Sequence, residues 1–198
     1  MALLKDTLIS SDIYNNLPYI GDVSHAPEER SADLDALREL LSKHHVPRGV
    51  SLRLVHKHFD TGVGEVMVFK NATIYTGAVQ LMGPVDTAQA EGLKPIHYFV
   101  DENSTLQAYE YGTTGTNVPD MSGSEPFLAE FCRLVIERRV QRVFGLKLRD
   151  EPETMNIKWT EYEIPHKRCT IMIPEGMPCP PDTPETYMYL HFGTFTDT

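Results

Sequence analysis

The 198-residue chain is short of several things at once, and each shortage excludes something. Its three cysteines, Cys132, Cys169 and Cys179, form an odd and widely spaced set. A disulfide framework or a zinc finger needs paired cysteines, the finger at short spacing, so neither is expected. No apolar run approaches the ~18 residues of a membrane-spanning helix. Met1-Ala-Leu-Leu-Lys5-Asp6 turns charged before an apolar leader core can form. The sequence therefore reads as a cytoplasmic or nuclear protein with free thiols. Cations are scarce too: 18 Lys+Arg face 28 Asp+Glu, for a net charge of −10. That balance disfavours a general nucleic-acid or anionic-membrane binder, since both partners want a basic face. Nucleophile and phosphate-loop signatures are missing. There is no Gly-x-Ser-x-Gly, and Gly62-Val-Gly64 and Gly112-Thr-Thr-Gly115 lack the Lys-Ser/Thr of a phosphate loop.

What is present suffices for one core. Hydrophobic residues make up 41% of the chain, and the length fits one domain. Residues 1–30 carry Pro18, Gly21 and Pro27 without sustained periodicity and read as an extended N-terminal arm. A single domain follows over 31–198, with a Pro-rich segment at 174–184. Leu34, Leu37, Leu40 and Leu41 predict a helix opening at Ser31. A second helix is expected from Ser124, with Pro126 in its first turn and Phe127, Leu128, Phe131, Leu134 and Val135 as its buried stripe.

Between and after the helices the period drops to two. Strands are expected at 50–59, 65–70, 73–82, 96–100, 105–111, 143–148, 156–164, 169–173 and 187–192. The turn Asp60–Gly64 suggests that the first two pair as a hairpin, and 83–92 reads as a loop. Two helices against mostly hairpin-joined strands indicate an α+β fold. The sheet is expected to be mainly antiparallel, open or barrel-like, with the two helices packed on it.

The sharpest chemical feature is Val55-His56-Lys57-His58-Phe59. Histidines at i and i+2 of a strand share a face, where two imidazoles can meet one divalent transition-metal ion. His97, on another predicted strand, is the first choice for a third ligand; Glu110, Glu65 and His191 are further options. Simple hairpin pairing puts Glu65 opposite Phe59, away from the histidines, and a one-residue register change reverses that. Glu110 and Glu65 are also the candidate general bases. The ordinary alternative is a half-buried strand whose histidines are polar members at its solvent end.

A second feature is the basic run Arg133, Arg138, Arg139, Arg142, Lys147 and Arg149. Arg138 and Arg142 fall on the apolar stripe of the second helix if it continues that far. Three explanations stand side by side: the helix ends near residue 137, the cations complement its C-terminal dipole, or the guanidinium groups reach inward to a carboxylate partner or an anionic ligand. The stretches 46–70 and 131–150 are the only ones with a cationic surplus, so a fold that joins them would create one anion site. Third, Tyr109-Glu110-Tyr111 and Glu161-Tyr162-Glu163 alternate acid and phenol, which is also the pattern of a strand with one wet and one dry face.

The order Gly49, His56, His58, Glu65, Pro95, His97 resembles the metal-binding strands of cupins. Six residues separate His58 from Glu65, and Pro95-Ile-His97 lacks the cupin glycine, so the spacing departs from that family. The resemblance implies a metal on the His-x-His strand. The runs Val46–Val50, Leu54–Phe59 and Glu175–Pro178 resemble a group of fungal intracellular proteins with no assigned activity. Together these features suggest a small-molecule-binding protein or enzyme acting on a polar or anionic metabolite. The rival reading is a non-catalytic interaction protein with structural histidines.

Overall fold

The computed structural model describes residues 3–74, 77–149, 159–176 and, as backbone, 185–189. Its elements run β1 (Leu4–Lys5), α1 (Ser11–Asn15), α2 (Ile20–Val23), α3 (Ala26–Glu29), α4 (Ser31–Lys43), β2 (Val50–Leu54), β3 (Glu65–Ile74), β4 (Gly77–Asp86), β5 (Lys94–Val100) and β6 (Leu106–Gly112). They continue as α5 (Glu125–Glu137), β7 (Phe144–Leu148), β8 (Trp159–Ile164), β9 (Cys169–Pro174) and β10 (Glu185–Tyr189).

The two long helices form where hydrophobic spacing predicts. In α4, Leu34, Leu37 and Leu40 are buried, Asp33 sits in the first turn and Lys43 in the last, as the helix dipole favours. In α5, Pro126 occupies the first turn and Phe127, Leu128, Phe131, Cys132 and Val135 are buried. The helix ends at Glu137, and Arg139 adopts a left-handed φ of 56° just beyond. Arg138 and Arg142 are thus outside the helix, which resolves their apparent place on its apolar stripe. No helix among the described residues is long and apolar enough to cross a membrane.

The sheet joins its strands in the order β10-β8-β9-β4-β3-β6-β5-β7-β2, with β1 added alongside β6. Pairings are antiparallel except β3–β6 and β1–β6. The fold is α+β, with a mostly antiparallel sheet curled into a half-barrel. Contacts between distant strands fix that curl. β2 and β8 lie near opposite ends of the order, yet His58, four residues past β2, contacts Glu163 on β8 at 2.8 Å. Arg149, after β7, reaches Gln80 on β4 at 3.3 Å and Asn71 on β3 at 2.9 Å. α4 packs on β2 and α5 on β5. Most buried apolar residues form one cluster, and Val79, Ile171 and Ile173 form a small second one.

Several expectations change. β2 does not pair with β3 in a hairpin: β2 pairs with β7, and β3 with β4 and β6. The predicted 65–70 strand runs on to Ile74, and β4 runs through Pro84 to Asp86 rather than breaking into a loop at Gly83. Long-range pairing here overrides the local turn signals. The described part of the N-terminal arm is not extended. It carries β1 and three short helical turns, started by Ser10 as an N-cap and by Pro27 in a first turn, and it buries Tyr14, Leu17 and Ile20. Residues 75–76, 156–158, 177–184 and 190–192 of the predicted elements lie outside the described residues.

Candidate metal centre

The chain past β2 no longer alternates as a strand. Its path is set by the N-terminal segment, which lies across Lys57. The Lys57 amide donates to Pro18 O at 2.9 Å, and the Ile20 amide donates to Lys57 O at 3.0 Å. The Lys57 side chain leaves in the other direction, donating to Asn15 O and pairing with Asp60 at 2.7 Å. With Lys57 pinned between them, His56 and His58 turn inward and are almost fully buried, at 0% and 1% exposure.

Glu161 and Glu163 meet them from β8. Register places these two acids on the inside of the curl. Glu161 pairs with Met172, which pairs with Gln80; Glu163 pairs with Thr170, which pairs with Met82. Tyr162 points the opposite way, into the small cluster of Val79, Ile171 and Ile173. The Glu-Tyr-Glu alternation is therefore real, but its acidic side is the buried one.

The two imidazoles are oriented alike. His56 Nδ1 lies 2.8 Å from Leu54 O, so it is the protonated nitrogen and donates to that carbonyl. His58 Nδ1 lies 2.8 Å from Glu163 Oε1, which also places a proton on Nδ1. Tyr19 in turn donates to Glu163 at 3.1 Å. Both Nε2 atoms then face inward, 3.1 Å apart, and the rings stand edge-on at 85°. Glu161 Oε1 lies 3.2 Å from His58 Nε2, but neither Glu161 oxygen accepts a well-directed hydrogen bond. Donor atoms of His56, His58 and Glu161 all lie within 4.8 Å of one another. Tetrahedral Zn²⁺–N bonds of ~2.0–2.1 Å would set two nitrogens about 3.3 Å apart, close to the separation seen here.

The charges fit this geometry. Burial, and then the nearby Arg53 guanidinium, hold His56 well below the usual imidazole range, so it is neutral. Burial would lower His58 as well, but Glu161 and Glu163 outweigh it and hold His58 up at about 9. Burial alone would raise Glu161; His58 overcomes that and holds it down at about 2. In the metal-free protein, a proton on His58 supplies the positive charge that the two carboxylates demand.

The other candidates lie elsewhere. His97 is on β5, paired through Nδ1 with Glu110 Oε2 at 2.5 Å, and is outside the His56–His58–Glu161 group. Glu110, on β6, is fully buried and also accepts from Arg53 at 3.4 Å. Glu65 lies near the surface. It accepts from the Gly62 amide and pairs with Arg168, both at 2.7 Å, and Arg168 holds it below the usual carboxylate range. Arg138 donates to Asp33 at 2.9 Å, tying α5 to α4. Arg142 donates to Asn16 O at 2.7 Å. The two cationic stretches do meet, at the end of α1, where Lys57 and Arg142 serve the backbone carbonyls of Asn15 and Asn16. His191 and Cys179 lie outside the described residues. Glu161 is the member of this group that the sequence reading did not offer as a ligand, although its alternating strand was visible.

No protein-family model matches the chain, and neither does any curated protein or solved structure. Likeness to the cupins is therefore limited to kind: a curled sheet with a buried His-x-His and a carboxylate. Neither Glu65 nor His97 takes the place that the cupin order gives it.

Proposed function

We propose that the protein binds one divalent first-row transition-metal ion through His56 Nε2, His58 Nε2 and a Glu161 oxygen. One observation supports this above the others. Both histidines spend Nδ1 on an outer acceptor and turn Nε2 toward a buried carboxylate that has no well-directed hydrogen bond. Metal-binding histidines are commonly held in this way, with the second ring nitrogen donating to a carbonyl or carboxylate. Two imidazoles and one carboxylate suit Zn²⁺ or Fe²⁺ and leave coordination positions for water and a small oxygen ligand. The function that follows is metal-dependent binding, and conversion, of a small polar metabolite inside the half-barrel.

The proton on His58 favours a second reading, in which His56, His58, Glu161 and Glu163 form a purely structural charge cluster. Metal titration of the full chain separates the two. On the first reading, chelator-stripped protein takes up one Zn²⁺ or Fe²⁺ per chain, with a higher melting temperature. Uptake should be lost in His56→Ala. No stoichiometric uptake and no stabilisation by any first-row divalent ion would leave the structural cluster as the answer.

A further inference from the structure

The candidate metal centre is closed to solvent: His56, His58 and Glu161 are 0%, 1% and 2% exposed. An ion can reach them only when some part of the wall moves, and the walls differ in how they are held. β2 is laddered to β7 from Val50 to Leu54, and β8 to β9 from Trp159 to Ile164. The N-terminal segment from Ile9 to Ile20 is joined to the backbone beside the histidines by one isolated bridge, Tyr19 against Lys57.

That segment lies over the histidines. Lys57, between them, is clasped by Pro18 O at 2.9 Å and by the Ile20 amide at 3.0 Å. Tyr19 donates to Glu163 at 3.1 Å, and Glu163 accepts from His58 Nδ1 at 2.8 Å. Ile13 and Tyr19 are themselves 47% and 39% exposed, so the segment is the outermost layer at this place. Its one helix, α1, has five residues, and a helix shorter than about 12 residues is marginal in water without packing. Side chains do the fastening. The Asn15 amide group donates to Thr61 O at 2.9 Å, and its Oδ1 accepts from the Thr61 amide at 2.8 Å. Tyr14, Leu17 and Ile20 anchor the segment from beneath, which makes any lifted state a minor one.

We propose that residues 9–20 are a removable cover over the metal centre: a divalent ion enters and leaves when this segment lifts, and the Tyr19–Glu163 bond is its latch. The inference rests on the metal reading and adds the control of access to it.

Lifting the segment breaks the clasp on Lys57 and the latch on Glu163, and leaves the β2–β7 and β8–β9 ladders whole. The Glu163 side of His58 is then uncovered. Entry of an ion is slowed by the fraction of time that the cover is open. Coupling runs the other way as well. A bound ion fixes His58, and through it Glu163, which is the acceptor that Tyr19 needs. An occupied centre therefore holds the cover shut more firmly, and a shut cover holds the ion more firmly, by the same factor.

The test follows amide hydrogen exchange by NMR in the metal-free full chain, and Zn²⁺ entry by stopped flow against a chromophoric chelator. The Lys57 and Ile20 amides bond across the seam, whereas the Val55 amide bonds within the sheet region, to Val143 O at 2.8 Å. A cover that lifts by itself gives Lys57 and Ile20 protection factors about 100-fold or more below that of Val55. Asn15→Ala and Tyr19→Phe alter no proposed ligand. Each should lower protection at Lys57 and Ile20 and speed Zn²⁺ entry by a matching factor of about ten, with Val55 unchanged. One common protection factor for the three wild-type amides overturns the cover, and this comparison needs neither variant to fold. Zn²⁺ entry within about twofold of wild type in both folded variants overturns it too. Wild-type protein that takes up no Zn²⁺ overturns the metal reading, and the cover's role with it, whereas uptake with either of the first two results overturns the cover alone.

Discussion

Two buried histidine–carboxylate groups lie inside one half-barrel and behave in opposite ways. His58, between Glu161 and Glu163, is held up at about 9. His97, bonded to Glu110 at a shorter distance, is pulled below its ordinary range. Desolvation opposes the charged imidazole at both sites, so burial does not separate them. The surrounding charge does. His58 faces two acids, whereas His97 faces one acid and the cations Arg53, Lys147 and Arg149. A hydrogen-bonded carboxylate therefore does not decide a histidine's charge; the local sum does. The two histidines thus differ in the sign of the charge that acts on them.

The strongest way to break this contrast is metal affinity. His58→Ala should lower Zn²⁺ affinity by more than about 100-fold, beyond the 10–100-fold typical of losing an outer partner. His97→Ala should leave it within twofold. Equal losses in a competitive chelator titration would mean that the two groups form one site.

Stability comes next. In the metal-free protein, His58→Leu leaves Glu161 and Glu163 buried side by side without their cation and should cost about 3–5 kcal/mol in urea unfolding. His97→Phe, which leaves Arg53 on Glu110, should cost less than about 2 kcal/mol, the range of one lost buried hydrogen bond. A reversed order would sink the charge argument.

Proton release gives a finer measure. His58 must be neutral to bind a metal, and in the metal-free protein it keeps its proton up to about pH 9. Zn²⁺ binding below that pH should release one proton per ion. Affinity should rise about tenfold per pH unit and level off above pH 9. Calorimetry in two buffers of different ionisation enthalpy measures this directly.

The smallest effect is expected at Glu65. Glu65→Gln breaks only its half-exposed pairing with Arg168 and should cost no more than about 1 kcal/mol. Metal affinity should not change. A large loss of metal there would restore Glu65 to the site.

How much of this was legible in the sequence varies with the range of the interactions involved. α4 and α5 follow from leucine and phenylalanine spacing, and the β5–β6 hairpin from two aromatic strands around Asp101–Ser104, because all of these are local. The His-x-His motif was visible for the same reason. The pairing of β2 with β7 was not, since a two-residue period gives two faces without naming a neighbour. Nor does the period say which face is inside. Glu161-Tyr162-Glu163 and Tyr109-Glu110-Tyr111 look alike as strings, and only register shows that the acids of both face the interior. Arg138 and Arg142 fall on the apolar stripe only if the helix runs on past Glu137; an end near residue 137 was one of the readings the sequence allowed, and that is where α5 stops.

The distance along the chain between the two halves of the candidate metal centre has a kinetic meaning. His58 and Glu163 are 105 residues apart in sequence. At synthesis rates of ~5–20 residues per second, the histidines leave the ribosome on the order of 5–20 s before the acids that complete their site. Through that interval a nascent chain can offer an incoming ion two imidazoles but not this carboxylate. On the proposed metal reading, full affinity would arise only after the sheet has bent far enough to bring β8 to the end of β2. Such long-range closure is slow compared with helix or hairpin formation. Tight metal capture would then be a late event, and a chain that stalls before β8 would be left with weak, exchangeable binding.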